Sequence, residues 1–238
     1  EASQHRLITQ AVHAADPDVK ICMQILHSGP LSRSPQCVAP SAIKSRIGAH
    51  TPRELDEAGI EKQIADFVQC ARMAKLAGYD GVEIMGSEGY FINQFLSSYT
   101  NQRSDAWGGD YSQRMRLPLE IVARTREAVG PDFILIYRLS MIDLVPGGSS
   151  WDEVVTLGKA VARGGATLIN TGIGWHEARV QTIATSVPRA AFAGVTGKLK
   201  PHVKLPLIAT NRINMPDVAE QILANGQADM ISMARPLL

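Results

Sequence analysis

The stretch Gly81-Val-Glu-Ile-Met-Gly-Ser-Glu-Gly-Tyr-Phe-Ile-Asn-Gln-Phe-Leu96 is the most informative part of this chain. It begins as a short apolar strand, Gly86 interrupts the apolar run, and Tyr90 follows just beyond the C-terminal end of the strand. In barrels of parallel strands, the reacting groups lie at this end of the strands. The stretch therefore predicts a buried strand that presents an ionisable phenol to a site.

Short apolar runs rich in β-branched residues recur along the chain, and helical patterns lie between them. The predicted strands are Ile21–Leu26, Gly81–Met85, Phe133–Leu139, Thr167–Thr171, Leu205–Ala209 and Met230–Met233. The predicted helices are Gln4–Ala15, Ile60–Leu76, Leu117–Val129, Trp151–Ala162 and Pro216–Ala224. This repeated order of strand, loop and helix predicts an α/β fold with a parallel sheet.

The number of strands favours part of a (β/α)8 TIM barrel, which needs two more strands than the chain shows. We expect residues 1–238 to form one partial barrel domain that covers roughly strands three to eight of such a barrel and lacks strands one and two and the closing helix. An open doubly wound sheet is the competing architecture. It is disfavoured because no Gly-x-Gly-x-x-Gly follows any predicted strand.

Composition excludes several classes of function. The formal net charge is +1, so no broad field favours nucleic acid or an anionic membrane surface. No apolar run reaches the roughly 20 residues that a membrane-spanning helix needs. The three cysteines are widely spaced and form no Cys-x-x-Cys pair, which predicts reduced thiols in a cytoplasmic protein rather than a metal site or disulfides.

Two arginines, Arg212 and Arg235, follow the last two predicted strands. Barrels commonly hold a phosphate at this position, and the guanidinium fork matches a phosphate geometrically. The alternative is a pair of solvent-exposed arginines without a ligand.

Two further polar residues, Gln24 and Arg138, face the inside of the sheet near its C-terminal edge if the strands alternate regularly. Gln24 could be a satisfied core amide. Arg138 could form a structural ion pair with Asp143 or Glu83, because a buried arginine is costly unless it is paired.

Three motifs together carry a family resemblance: the stretch quoted above, Thr100-Asn-Gln-Arg-Ser-Asp-Ala-Trp-Gly-Gly-Asp110, and Gly172-Ile-Gly-Trp-His-Glu-Ala-Arg179. They resemble the old yellow enzyme class of flavin-dependent TIM barrels, and within it the bacterial 2,4-dienoyl-CoA reductase branch. The resemblance implies that FMN is the cofactor. It also implies that Gln24 binds the flavin pyrimidine ring, that Arg138 lies near flavin N1 and C2=O, and that Arg212, Ala234 and Arg235 bind the phosphate.

The same resemblance implies an activity, the reduction of the conjugated double bonds of 2,4-dienoyl-CoA thioesters in the β-oxidation of unsaturated fatty acids. Tyr90 would be the general acid and His176 its supporting neighbour, and Gly172 and Gly174 would let the loop of His176 bend over the site. The small-molecule partner would be an acyl-CoA. The implied substrate contacts are Tyr99, Thr100, Asn101, Gln102 and Arg179.

The residues also allow alternatives to this activity. Many enoate-reducing members of the class hold a substrate carbonyl with two histidines or with His and Asn, and those positions are Met85 and Glu88 here. An amine dehydrogenase or demethylase of the same superfamily also pairs Tyr with His, and the chain could be a fragment that is inactive alone. Full-length members of the dienoyl-CoA reductase branch add a four-cysteine iron–sulfur segment with a 4Fe-4S cluster and a dinucleotide-binding domain for FAD and NADPH. Neither lies within these residues.

Overall fold

A parallel sheet is the centre of the computed structural model, which describes residues 1–237. The strands, in chain order, are β1 (Cys22–Ile25), β2 (Val38–Ala39), β3 (Arg53–Glu54), β4 (Gly81–Gly86), β5 (Ile134–Ile142), β6 (Leu168–Ile173), β7 (Leu207–Ala209) and β8 (Met230–Ile231). Six of them form the main sheet in the order β1-β4-β5-β6-β7-β8, and β2 and β3 form a separate parallel pair. Within residues 1–237, β1 and β8 are the two edges of the main sheet.

The chain begins with a helix, and further helices lie between successive strands of the main sheet. They are α1 (Ala2–Ala15), α2 (Glu57–Leu76), α3 (Phe91–Leu96), α4 (Tyr111–Arg114), α5 (Arg116–Val129), α6 (Trp151–Arg163), α7 (Ala193–Leu199) and α8 (Pro216–Ala224). Because the strands are parallel, all of their C-terminal ends lie at the same edge of the sheet, and the loops that follow them meet there.

Helix α2 shows how the sequence produces these elements. Asp56 caps its N-terminus by accepting a hydrogen bond from the Gly59 N–H at 2.8 Å. The apolar stripe expected from the sequence is buried: Ile60, Ile64, Phe67, Val68, Ala71 and Ala74. Removing each large apolar side chain from water in this way stabilises the fold by about 1.5–3 kcal/mol. The amphipathic stripe therefore fixes which face of α2 packs on the sheet and α5.

The predicted α/β fold with a parallel sheet is confirmed, and all six predicted strands are present. Their bounds differ at the edges. Strand β5 continues three residues past the predicted end at Leu139, whereas β8 stops at Ile231 and leaves Met233 outside the sheet. The two-residue strands β2 and β3 and the short helices α3, α4 and α7 were not predicted, because tertiary contacts rather than local periodicity stabilise elements of this length.

In residues 1–237 no helix combines the length and the apolar character that crossing a bilayer requires.

Candidate active site

A cavity of about 870 Å³ opens where the C-terminal ends of the strands meet and extends down the inner face of the sheet. All five residues predicted to bind the cofactor line it, together with the predicted general acid Tyr90. Those five are Gln24, Arg138, Arg212, Ala234 and Arg235. The structure therefore brings to one cavity residues that are spread over five strands or the loops that follow them.

Three polar side chains form a chain across the inner face of the sheet. The buried carboxylate of Glu83 accepts hydrogen bonds from Gln24 Nε2 and Asn170 Nδ2, both at 2.6 Å. Gln24 itself is exposed to the cavity, so it is not a core amide. The buried Oδ1 of Asn170 has no hydrogen-bond partner in the part of the chain that the structure describes. The inner wall of the cavity thus presents amide groups that a polar ligand can satisfy.

The guanidinium of Arg138 is paired with Glu88, not with Asp143 or Glu83 as the ion-pair alternative suggested. Its Nε and Nη2 donate to Glu88 Oε1 at 3.1 and 2.6 Å. Glu88 comes just after β4, where Met85 is the register partner of Arg138, and it takes a positive φ of 65°. A positive φ at a residue other than glycine is uncommon and clusters at functional sites.

Tyr90 and His176 are joined by a hydrogen bond between the phenol oxygen and Nε2, at 2.8 Å. Tyr90 lies at the N-terminus of α3, and His176 lies in the loop after β6. Burial raises the pKa of Tyr90, the Glu88 carboxylate raises it further, and Arg138 opposes them. The phenol therefore stays protonated at neutral pH, as a proton donor requires.

Two glycines shape the loop that carries His176, but only one of them does so by bending. Gly174 has a φ of 76°, which favours glycine, and its N–H donates to Ile142 O at 2.7 Å. Gly172 has no positive φ. It is needed for a close approach instead, because a Cβ there would lie 2.5 Å from Ser87 Oγ.

The far end of the cavity is basic. Arg212 follows β7 with a φ of 60° and donates from Nε to Val187 O at 2.7 Å. The exposed guanidinium of Arg235 makes no hydrogen bond or ion pair within residues 1–237, and Arg189, which the sequence did not single out, lines the same cavity. The buried Oδ1 of Asn214 is also unpartnered among the described residues. Free guanidinium groups suit a phosphate, and unpartnered amide oxygens suit hydroxyl or N–H donors, so these residues fit FMN.

The predicted substrate residues lie outside this cavity lining. Thr100 and Asn101 are buried, with Thr100 Oγ1 donating to Gln94 O and Asn101 Nδ2 donating to Phe95 O and Trp107 O, each at 2.8 Å. Tyr99, Gln102 and Arg179 are exposed. The side chains of Thr100 and Asn101 thus hold the loop together, whereas those of the other three face solvent.

The known proteins that this chain resembles indicate one family. The pattern of the NADH:flavin oxidoreductase / NADH oxidase family matches residues 1–238. A metal reductase of Desulforamulus reducens is 44% identical over 98% of this chain and 35% of its own length. An NADH oxidase of Thermoanaerobacter brockii is 35% identical over 97% of this chain and 36% of its own.

A solved structure agrees with these relatives. The complex of 2-naphthoyl-CoA reductase with 2-naphthoyl-CoA superposes with a TM-score of 0.93 at 31% identity, over 98% of this chain and 38% of that one. The chain thus spans about a third of the length of these proteins. The likeness of fold confirms that it forms part of a TIM barrel. A match over its full length shows that the chain belongs to the NADH:flavin oxidoreductase / NADH oxidase family, whose members are FMN-dependent oxidoreductases.

Proposed function

We propose that this chain is the substrate-reducing part of a flavin enzyme that reduces a double bond conjugated to the thioester carbonyl of an acyl-CoA, with 2,4-dienoyl-CoA as the substrate class. The observation that carries the proposal is the 2.8 Å hydrogen bond between Tyr90 and His176 beside the cavity. The solved complex of a related reductase with an aromatic acyl-CoA supports a thioester substrate.

The residues of the cavity would hold FMN as the fit described above suggests. Arg212, Ala234 and Arg235 would bind its phosphate, and Gln24 would bind the pyrimidine ring. Arg138 would lie near N1 and C2=O, where its positive charge favours the anionic form of the ring. When bound and reduced, FMN would supply a hydride for the terminal carbon, Cδ, of the diene.

The proton is the part of the reaction that this chain itself supplies. Hydride addition at Cδ would leave a carbanion delocalised onto the thioester carbonyl, and protonation, here proposed at Cα, would complete the reduction. Tyr90 holds the proton on Oη, and His176 Nε2 lies where it can stabilise the phenolate that forms. The phenolate needs this support because burial and Glu88 both disfavour it.

The source of electrons would lie in other parts of the full-length protein. By resemblance to the dienoyl-CoA reductase branch, NADPH would pass electrons through FAD and a 4Fe-4S cluster to FMN. The curated relatives, which are almost three times as long as the part matched here, leave room for such domains.

We further propose that the protein is cytoplasmic.

Tyr90→Phe in the full-length, FMN-loaded protein tests the function. Flavin reduction by NADPH should be unchanged, and reoxidation of the flavin by 2,4-dienoyl-CoA should slow by about 10²–10⁴-fold, the usual contribution of general acid catalysis. Tyr79→Phe is the matched control and should react normally, because it removes another phenol that bonds to a histidine, His5, but lies outside the cavity lining. An unchanged rate in Tyr90→Phe would refute the assignment. Flavin reduction by an N-methyl amine, without reoxidation by the thioester, would identify an amine dehydrogenase instead.

A further inference from the structure

We infer that Asp143 is a positioning residue that holds Tyr90 and His176 at hydrogen-bonding distance; the inference rests on the function proposed for that pair. Asp143 follows β5 directly, and its side chain is 3% exposed. Within residues 1–237 it forms no ion pair. A buried carboxylate without a cation is costly unless hydrogen-bond donors surround it. Those donors come from both of the loops that carry the proton-transfer pair.

The first link runs to the loop of His176. Trp175 Nε1 donates to Asp143 Oδ1 at 2.7 Å, and the Trp175 backbone N–H donates to Asp143 O at 2.9 Å. Trp175 is the residue directly before His176, and its side chain is buried. Two hydrogen bonds to a single residue therefore fix the chain immediately before the imidazole.

The second link runs to the segment of Tyr90. Asn93 Nδ2 donates to the same Asp143 Oδ1 at 3.4 Å, and Asn93 Oδ1 accepts from the Gly89 N–H at 3.0 Å. Gly89 is the residue directly before Tyr90. Asn93 is completely buried, so its amide has no water to replace these partners.

The two links also pack directly on each other. A Cβ on Gly89 would lie 2.9 Å from Trp175 Cε3, so the backbone before Tyr90 rests on the indole ring. The indole is held in turn by Asp143. The remaining donors, Ser140 Oγ at 2.6 Å and the Ser149 N–H at 2.7 Å, are local: they come from the same strand and from the loop that follows it, and they connect to neither Tyr90 nor His176. One buried carboxylate thus determines where both loops lie, although it touches neither the phenol nor the imidazole.

Trp175→Phe in the full-length, FMN-loaded protein is the primary test. It keeps a ring against Gly89 and removes the N–H that Asp143 accepts. We expect the rate of flavin reoxidation by 2,4-dienoyl-CoA to fall roughly tenfold or more, because a small misplacement of the reacting groups is enough to slow a reaction by that amount. The KM should change little. The solvent deuterium isotope effect on that step should rise, and flavin reduction by NADPH should stay at the parent rate. Asp143→Asn, which keeps the shape of the side chain and loses its charge, should behave alike and serves as the second variant if Trp175→Phe does not fold.

Ser140→Ala is the matched control. It removes a hydrogen bond to the same carboxylate oxygen, but Ser140 lies on the same strand segment as Asp143 and connects no second loop. The rate of flavin reoxidation should therefore remain near that of the parent. A loss in Ser140→Ala equal to that in Trp175→Phe would show a general effect on the core and overturn the inference.

A double-mutant cycle separates this inference from the proposed function. If Asp143 acts by placing Tyr90 and His176, Trp175→Phe should slow the reaction no further once Tyr90→Phe is present. A slow Tyr90→Phe variant combined with a parent-like Trp175→Phe variant, or with independent effects of the two changes, would overturn the positioning role alone. A parent-like Tyr90→Phe variant would overturn both.

The imidazole nitrogen resonance of His176 gives a readout without substrate. Introducing Tyr90→Phe into the parent protein should shift this resonance, whereas introducing it into the Trp175→Phe variant should not.

Discussion

The carboxylate of Glu88 accepts two hydrogen bonds from Arg138 and at the same time raises the pKa of Tyr90. One ion pair thus connects the residue proposed to face the flavin with the residue proposed to donate the proton. Arg138 lowers the same pKa, so the phenol is exposed to two opposite charges.

Replacing Glu88 by Gln should lower the pKa of Tyr90, because the change removes the carboxylate that raises it and leaves Arg138, which lowers it. Titration of the phenolate absorbance, with Tyr90→Phe to identify the band, checks the direction of the shift. Glu177→Gln is the control, since that carboxylate lies next to His176 in sequence but bonds to the backbone of Arg46 instead. A pKa that rises or stays constant in Glu88→Gln would contradict the electrostatic assignment.

The pH dependence of substrate reduction should show the protonated phenol directly. Tyr90 must carry its proton to act, and its pKa lies above the ordinary value of 10.0. The rate of flavin reoxidation by the thioester should therefore stay constant as the pH rises toward the ordinary phenol pKa of 10.0, and it should decline only above that pH. Stopped-flow measurement across alkaline pH checks this, and the decline should be absent from the slow residual rate of Tyr90→Phe. A decline centred below the ordinary phenol pKa would assign it to another group.

Arg235→Ala should weaken FMN binding by roughly ten- to a hundredfold, because a charge-assisted hydrogen bond to phosphate contributes about 1.5–3 kcal/mol. The guanidinium makes no hydrogen bond or ion pair within residues 1–237 that would complicate the interpretation. Quenching of flavin fluorescence during a titration measures the Kd. Arg163→Ala, an exposed arginine at the end of α6, is the control and should bind FMN normally. Equal affinities in the two variants would place the phosphate elsewhere.

Asn101→Ala should lower the free energy of unfolding by about 2–4 kcal/mol, because it leaves two buried backbone carbonyls without their donor. Denaturant unfolding measures the change. Its exposed neighbour Gln102 is the control, since Gln102→Ala should alter stability by no more than about 0.5 kcal/mol. An increased KM for 2,4-dienoyl-CoA in Gln102→Ala, without a loss of stability, would support the predicted substrate contact at that residue.

Local patterns predicted the elements better than they predicted the contacts. The stripe of α2 and the apolar runs of the sheet were recognisable because each element repeats its own period, 3.6 residues in a helix and the continuous apolar character of a strand covered on both faces. The five cofactor residues could be predicted to meet because the loops after parallel strands share one edge, and Gln24 and Arg138 face inward from strands that end there. Arg189 was missed because it lies in an irregular segment without a period.

Residue order alone could not identify the partners across the site. Arg138 pairs with a residue 50 positions away, and the phenol of Tyr90 bonds to a histidine 86 positions away. Glu83 lies in β4, whereas Glu88 and Asp143 follow β4 and β5, and all three are acidic, so composition does not show which of them pairs with Arg138. Arg138 pairs with Glu88 because the other two carboxylates already accept hydrogen bonds. Amide groups donate to Glu83, and Trp175 and Ser140 donate to Asp143.

The sequence by itself therefore determined the class of fold, the edge of the sheet where the predicted cofactor residues meet and the family of flavin oxidoreductases, because periodicity and motifs are properties of neighbouring residues. Only the tertiary structure decided that Glu88 holds Arg138, that Thr100 and Asn101 are buried in their loop, and that Asp143 connects the loops of Tyr90 and His176. These contacts depend on how irregular loops fold over the ends of the strands. Polar groups buried there need hydrogen-bond partners, and that requirement selects the arrangement of the loops.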